Sequence, residues 1–453
     1  MPDTRALLEQ QLNDFDAAAR VAALDGLMAL VRGGRLELPA PRPVVNVHAH
    51  TFFSFNGYGY SPSYFAWKAR CEGLLVAGVV DFDVLDAVDE FLAACQTVGL
   101  RGCAGLETRI FLPEFGTREI NSPGEPGIKY YVGAGFVSGN VRHRDILERL
   151  RVTAGQRTRA IVDRVNPHVA PVAIDYERDV LPLTPKGNAT ERHVCMAYEK
   201  KGEEVFPDPH ARATFWAEKL GQTPESLERL FADSPGFQGL LRSQLMKQGG
   251  VGYVAPEGPD FPRLEEVNRL ILDAGAIPTV TWLNGLTEGE QAIEELLDLL
   301  LDAGAAALNI IPDRNWNVKS PDERHAKVEK LHEIVAIAEE RGLPVLAGTE
   351  MNAHGQKFVD EFGVPEMAPL RETFMNGALI LYAHTLLERA GGMGYLSDWA
   401  KRHFASPRDR NAYFVELGRV AQPGDAYRVD ALEPGMAPED VITALSRCGE
   451  CTP

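Results

Sequence analysis

An alternation of two patterns constrains this chain more than anything else in it. Short apolar runs over 44–47, 76–80, 100–106, 129–136, 277–282, 307–311 and 343–348 have the length and branched-residue content of buried strands. Between most of them lie longer stretches with apolar residues at helical spacing, over 61–75, 84–98, 141–165, 264–274, 288–303 and 320–341. Ser61-Pro62 has the form of an N-cap followed by proline at the first helical position. Repeated strand-helix units predict a parallel sheet, and this many predict an α/β, TIM-like barrel closed on itself.

The alternation lapses in three places. Residues 5–30 carry a helical pattern ended by Gly33-Gly34, and helices fill the chain beyond the last strand to about 420. From 190 to about 254 the sequence is mostly helical, interrupted at Pro207, Pro209 and Pro235. The expected organisation is an N-terminal helical segment over 1–40, a barrel over 41–189 and 256–365, a helical insertion over 190–255, and a C-terminal helical extension over 366–453.

Charge limits the partners. With 46 basic and 64 acidic residues the chain carries a formal charge of -18, which opposes binding to nucleic acid or an anionic membrane. An anionic substrate must therefore meet a local cluster of positive groups or a metal. The start, Met1-Pro2-Asp3-Thr4-Arg5, lacks the basic and apolar regions of a signal peptide, and no apolar run approaches a membrane span, so a cytoplasmic protein is expected. Six scattered cysteines suit reduced thiols; Cys448-Gly449-Glu450-Cys451 has metal-pair spacing but no companion pair.

Reacting groups of barrels sit at the C-terminal ends of the strands. The first strand ends in His48-Ala49-His50, and side chains at i and i+2 of an extended chain share a side, so both imidazoles can converge on one ion. The other ends carry Asp81 and Asp83, Glu107, Lys129 and Tyr130, Trp282 and Asn284, Asp313 and Arg314, and Glu350 and Asn352. One carboxylate after a strand is commonly a helix cap. Imidazoles and carboxylates gathered at one end suit zinc, manganese or iron. Arg109, Arg192 and Arg314 lie within a few residues of these positions, and the guanidinium fork fits phosphate or carboxylate.

The order His48-x-His50-Thr51, Asp81-Phe82-Asp83, Gly105-Leu106-Glu107, Arg192-His193 and Gly348-Thr349-Glu350-Met351-Asn352 resembles the polymerase and histidinol phosphatase (PHP) family across roughly 44–354. The resemblance implies a distorted barrel, commonly of seven strand-helix units, that holds up to three metal ions and hydrolyses phosphate esters. It implies a first metal on His48, His50 and Glu107, with Glu350 where the family has an aspartate. A second ion would share Glu107 and take His193, but Tyr130 stands where the other histidine is expected. The third ion's positions correspond to Asn56, Phe82 and Asn352, none of which supplies an imidazole.

The expectation is thus a metal-dependent hydrolase with one or two divalent ions (Mn, Zn or Fe), a phosphoesterase acting on a small phosphorylated molecule. Asp81 and Asp83 are the expected proton carriers, and Arg109, Arg192 and Arg314 the groups that stabilise developing charge. The alternatives are another metal-dependent barrel reaction, such as amide hydrolysis or sugar-acid isomerisation, and a degenerate member that binds a ligand or partner without catalysis.

Overall fold

In the computed structural model, which describes residues 4–255, 258–424 and 429–446, seven strands form one sheet in chain order. They are β1 (Arg42–Ala49), β2 (Leu74–Phe82), β3 (Arg101–Phe111), β4 (Ile128–Ala134), β5 (Ile277–Trp282), β6 (Ala307–Ile310) and β7 (Val345–Ala347). The sheet curls into a nearly closed barrel. At the seam, Thr349 and Glu350 donate their N–H groups to the His48 carbonyl at 3.1 and 2.9 Å, and His50 N–H donates to the Glu350 carbonyl at 2.7 Å. Gly348 permits that approach, because a Cβ there would lie 2.4 Å from the His48 Cβ.

The sheet departs from the all-parallel expectation in one strand. β4 pairs antiparallel with both β3 and β5, whereas the other pairs run parallel. The cause is the connection before it. Residues 112–127 hold only one short 3-10 turn, Pro113–Phe115, and a parallel return requires a crossover, usually through a helix. Reversal puts the start of β4, with Lys129 and Tyr130, on the rim where the parallel strands end: Arg109 is paired with Tyr130, and Glu107 with Val132.

The N-terminal pattern becomes two helices, Thr4–Gln11 and Ala17–Arg32, the second capped by the Asp16 carboxylate on Ala18 N–H at 2.9 Å. Ser61 caps the helix Pro62–Cys71 as its sequence predicts, accepting from Tyr64 N–H at 2.9 Å. The long helix Arg371–Arg389 packs against β1, β2, β3 and β7 and seals the end of the barrel remote from Glu107. There His384 bridges Gly135 and Tyr395. Between β4 and β5 the helices Arg144–Val165, Glu191–Val205, Pro209–Leu220, Pro224–Leu230 and Ser234–Leu245 build a second apolar cluster. It includes Tyr198, Trp216 and Phe237, and begins at Ile161, upstream of Thr190.

No described helix is long and apolar enough to cross a membrane. Cys71, Cys95, Cys103 and Cys195 are free thiols, and the Cys448/Cys451 pair lies outside the described residues.

Candidate metal centre

β1 and β3 bring His48, His50 and Glu107 together in the barrel mouth, and one ligand atom from each falls within 4.8 Å of the others. All three side chains are buried. His48 Nε2 and His50 Nε2 lie 3.4 and 3.1 Å from Glu107 Oε2, yet none of the three atoms has a hydrogen-bond partner among the described residues. Buried polar atoms without partners are uncommon, since each forfeits its bonds to water. Three of them facing one another, two imidazole nitrogens and a carboxylate oxygen, are of the types that hold a divalent cation.

The remaining ring nitrogens fix the orientation. His48 Nδ1 lies 3.2 Å from Asn309 Oδ1 on β6, and His50 Nδ1 lies 3.1 Å from Ser54 Oγ. Ser54 Oγ in turn donates to Asp81 at 2.5 Å, and Asp81 also accepts from Thr51 N–H at 2.8 Å and Thr51 Oγ at 2.6 Å. Each imidazole therefore presents Nε2 inward, the arrangement by which outer partners orient metal-binding histidines. Burial pushes the Glu107 carboxyl up, but the adjacent His48 and His50 more than reverse this and hold it ionised. Burial lowers the His48 pKa, and Glu107 outweighs that and raises it.

The other expected residues take different positions. Asp81 is fully engaged by Thr51 and Ser54 and serves to orient His50. Asp83, in the left-handed region at φ 61°, accepts from Thr108 Oγ at 2.6 Å and lines the cavity. Glu350, also left-handed at φ 60°, accepts from Arg314 and, at 2.9 Å, from Asn352 Nδ2. It lines the cavity but lies outside the three-residue donor group. His193 completes a helix cap: its Nδ1 accepts from Thr190 N–H at 3.0 Å, its ring packs on Phe55, and burial lowers its pKa to about 4. Among the described residues the donor group includes no further His, Cys, Asp or Glu.

The positions corresponding to a third ion are filled by structural contacts. The Phe82 ring lies on His50 with centroids 4.2 Å apart, and Asn56 ties the His50 carbonyl to the amides of Tyr58 and Tyr60. Burial pushes the Tyr130 phenol up, so it stays protonated and ill suited to ligation. Lys129 is fully buried, donates to the Thr281 carbonyl and Oγ, and has its pKa lowered to about 8 by that burial. His143 pairs with Asp273 at 2.7 Å, and His354 stacks near Tyr58.

Above the donor group opens a cavity of about 390 Å³, a volume suited to a small molecule. Its wall carries Arg109, Arg192 and Arg314, and also Arg157, Arg242 and Lys247 from the segment between β4 and β5. Those last three lie in amphipathic stretches where a cation ordinarily faces solvent, so sequence gave no signal for them. Asn309 and Ser54 were missed too, although Asn309 interrupts an otherwise apolar strand, a pattern that can mark a buried polar duty.

No family model matches the chain, and no curated protein does. Two solved structures are similar to it. One is an amidohydrolase from Chromobacterium violaceum, determined with bound sulfate and no metal, at 16% identity over 73% of this chain and 95% of the other, with a TM-score of 0.47. The other is described provisionally as a metal-dependent phosphoesterase, from Bifidobacterium adolescentis, at 19% identity over 71% and 90% of the two chains, with a TM-score of 0.45.

Proposed function

We propose that this chain is a metal-dependent hydrolase of small phosphorylated molecules, cleaving the ester at the His48–His50–Glu107 end of the cavity. One observation carries the reading: three buried, mutually facing donor atoms without hydrogen-bond partners lie at the base of a cation-lined cavity in a chain of net charge -18. His48, His50 and Glu107 would hold the ion. A divalent cation at such a site supplies Lewis acidity, which lowers the pKa of water and polarises a phosphoryl oxygen.

The chain's own residues supply the rest. Asn309 and the Ser54–Asp81 pair hold the imidazoles against rotation, so the donor set needs little rearrangement. Arg109, fixed by Glu125 at 2.7 Å, and Arg314, fixed by Glu350, offer donors to phosphoryl oxygens as negative charge develops. Asp83 is the carboxylate placed to carry a proton to the departing alcohol, since its backbone and Thr108 hold it at the cavity wall. The free cysteines fit a reducing, cytoplasmic setting.

The test is elemental analysis of protein purified without chelator, followed by a phosphate-release screen with manganese, zinc or iron(II). Copurifying metal and release from at least one small ester are expected. Absence of any copurifying or added metal would overturn the metal reading; metal binding with amide cleavage and no phosphate release would overturn the ester reading alone.

A further inference from the structure

The cavity has two walls of different character. The strands and the segments directly after them contribute the donor group and two arginines tied to carboxylates, Arg109 on β3 to Glu125 and Arg314, in the short helix after β6, to Glu350. The segment between β4 and β5 contributes Arg157, Arg192 and Arg242 from its helices and Lys247 from the turn that follows Ser234–Leu245. Arg242 and Lys247 share one acid, Glu191, at 2.8 Å each. Arg192 has no side-chain hydrogen bond or ion pair among the described residues, and Arg157 has only the face of Phe261, 4.6 Å away. The acids in the field of Arg157 are Asp83, Glu125 and Asp260; Asp83 is already bonded to Thr108, and Glu125 to Arg109 and Ser122.

Arg157 and Arg192 are partly buried in a recess that Arg109 and Arg242 also line; burial first, and then the like charge of Arg109 on Arg157 and of Arg242 on Arg192, disfavours their charged forms. Like charges gathered in a recess and short of acids are relieved by an anion, and a guanidinium with a free edge can take a carboxylate or phosphate by two parallel bonds. The phosphoryl group to be cleaved belongs at the donor group on the strand wall. The helical wall therefore has positive charge to spare for something else.

We propose that Arg157 and Arg192, supported by Arg242 and Lys247, form a second anion subsite, so that the substrate is a small molecule with two anionic groups: the phosphoester that is cleaved and a further phosphate or carboxylate held by the helices. This rests on the phosphoesterase reading for the cleaved group, but the subsite itself needs no metal.

Flexible linear probes avoid any choice of scaffold: butyl phosphate, 4-(phosphonooxy)butanoate and butane-1,4-diyl bisphosphate. Calorimetric titration of the metal-free protein is expected to show one or both of the probes with a second anionic group binding about tenfold more tightly than butyl phosphate, the size of one charge-assisted pair. Which probe gains identifies the second group as carboxylate or phosphate. Arg157→Gln and Arg192→Gln are each expected to remove most of that preference, and Arg192→Lys to keep part of it. Neither guanidinium makes a hydrogen bond among the described residues, so the variants should fold; a melting curve checks this. With metal-loaded protein, the same variants should lower the ratio of kcat/KM for an ester with a second anionic group over butyl phosphate. Equal affinity for all three probes, or a preference that survives both Gln variants, would overturn the subsite. If no ester is cleaved but the preference and its loss in the variants stand, the hydrolase reading fails and the subsite remains.

Discussion

Histidines are buried at both ends of this barrel, under opposite conditions. At the sealed end, His384 uses both ring nitrogens: Nε2 meets the Gly135 carbonyl at 3.1 Å, and Nδ1 accepts from Tyr395 N–H at 3.0 Å. At the open end, His48 and His50 each use Nδ1 and leave Nε2 facing an oxygen of Glu107 that also has no partner. Burial is common to all three. What separates a packing histidine from a ligand is the convergence of unspent atoms on one point.

The sharpest way to break the open end is to remove its shared acid. Glu107→Gln should abolish copurified metal and lower any turnover by about a thousandfold or more, since the site loses its only charged donor; metal analysis and a steady-state assay read this out. Near-normal metal content would mean that the ion, if any, sits elsewhere. One bond further out, Asp81→Asn leaves the ligands in place and loosens His50 through Ser54. Metal affinity is expected to fall by roughly 10- to 100-fold, as for other outer partners of histidine ligands, measured by competition with a chromophoric chelator.

The sealed end predicts a pH effect instead. Burial lowers the His384 pKa from 6.5 to about 4, so between those values the unfolded chain takes up a proton that the folded chain refuses. Stability should therefore be lost as pH falls from 6.5 towards 4, by up to about 3 kcal/mol at 1.36 kcal/mol per unit. Urea unfolding at several pH values, with His384→Gln reducing the slope, tests it. A lone unspent atom gives the smallest effect. Asp360 accepts from Trp316 Nε1 and Glu361 N–H, but its Oδ2 has no partner and burial raises its pKa to about 6. Its folded pKa lies above the unfolded one, so stability falls as pH rises from about 4 to 6. Asp360→Asn should recover about 1 kcal/mol at pH 7.5, and a loss there would contradict the assignment.

The sequence made the centre of the site legible for a physical reason. A two-residue repeat on a strand forces His48 and His50 to one side, and the alternation of strands and helices puts Glu107 on the same rim. The reversal of β4 was hidden because direction depends on what the preceding connection can do, and 112–127 was legible only as irregular. Glu350 shows a second limit. Its position at the rim was foreseeable, but its left-handed backbone and its bond to Arg314 arise from the seam with β1, a contact across the whole barrel. Arg157 and Lys247 were invisible for the same reason: a helix pattern shows which face is apolar, not which polar residues overhang another element's cavity.

The reversed strand has one more consequence. Ala134, where β4 ends, is the register partner of Ile277, where β5 begins. The segment 135–276 thus leaves and rejoins the sheet at one register pair, like the loop of a hairpin grown to the size of a module, and its last helix, Leu264–Asp273, packs back against β3 and β5. Residues 161–246, which build the second apolar cluster and not the barrel core, take part in no strand pairing, so the part of the cationic wall that they carry can be rebuilt without shifting any strand against its neighbour and without touching the candidate metal-binding end.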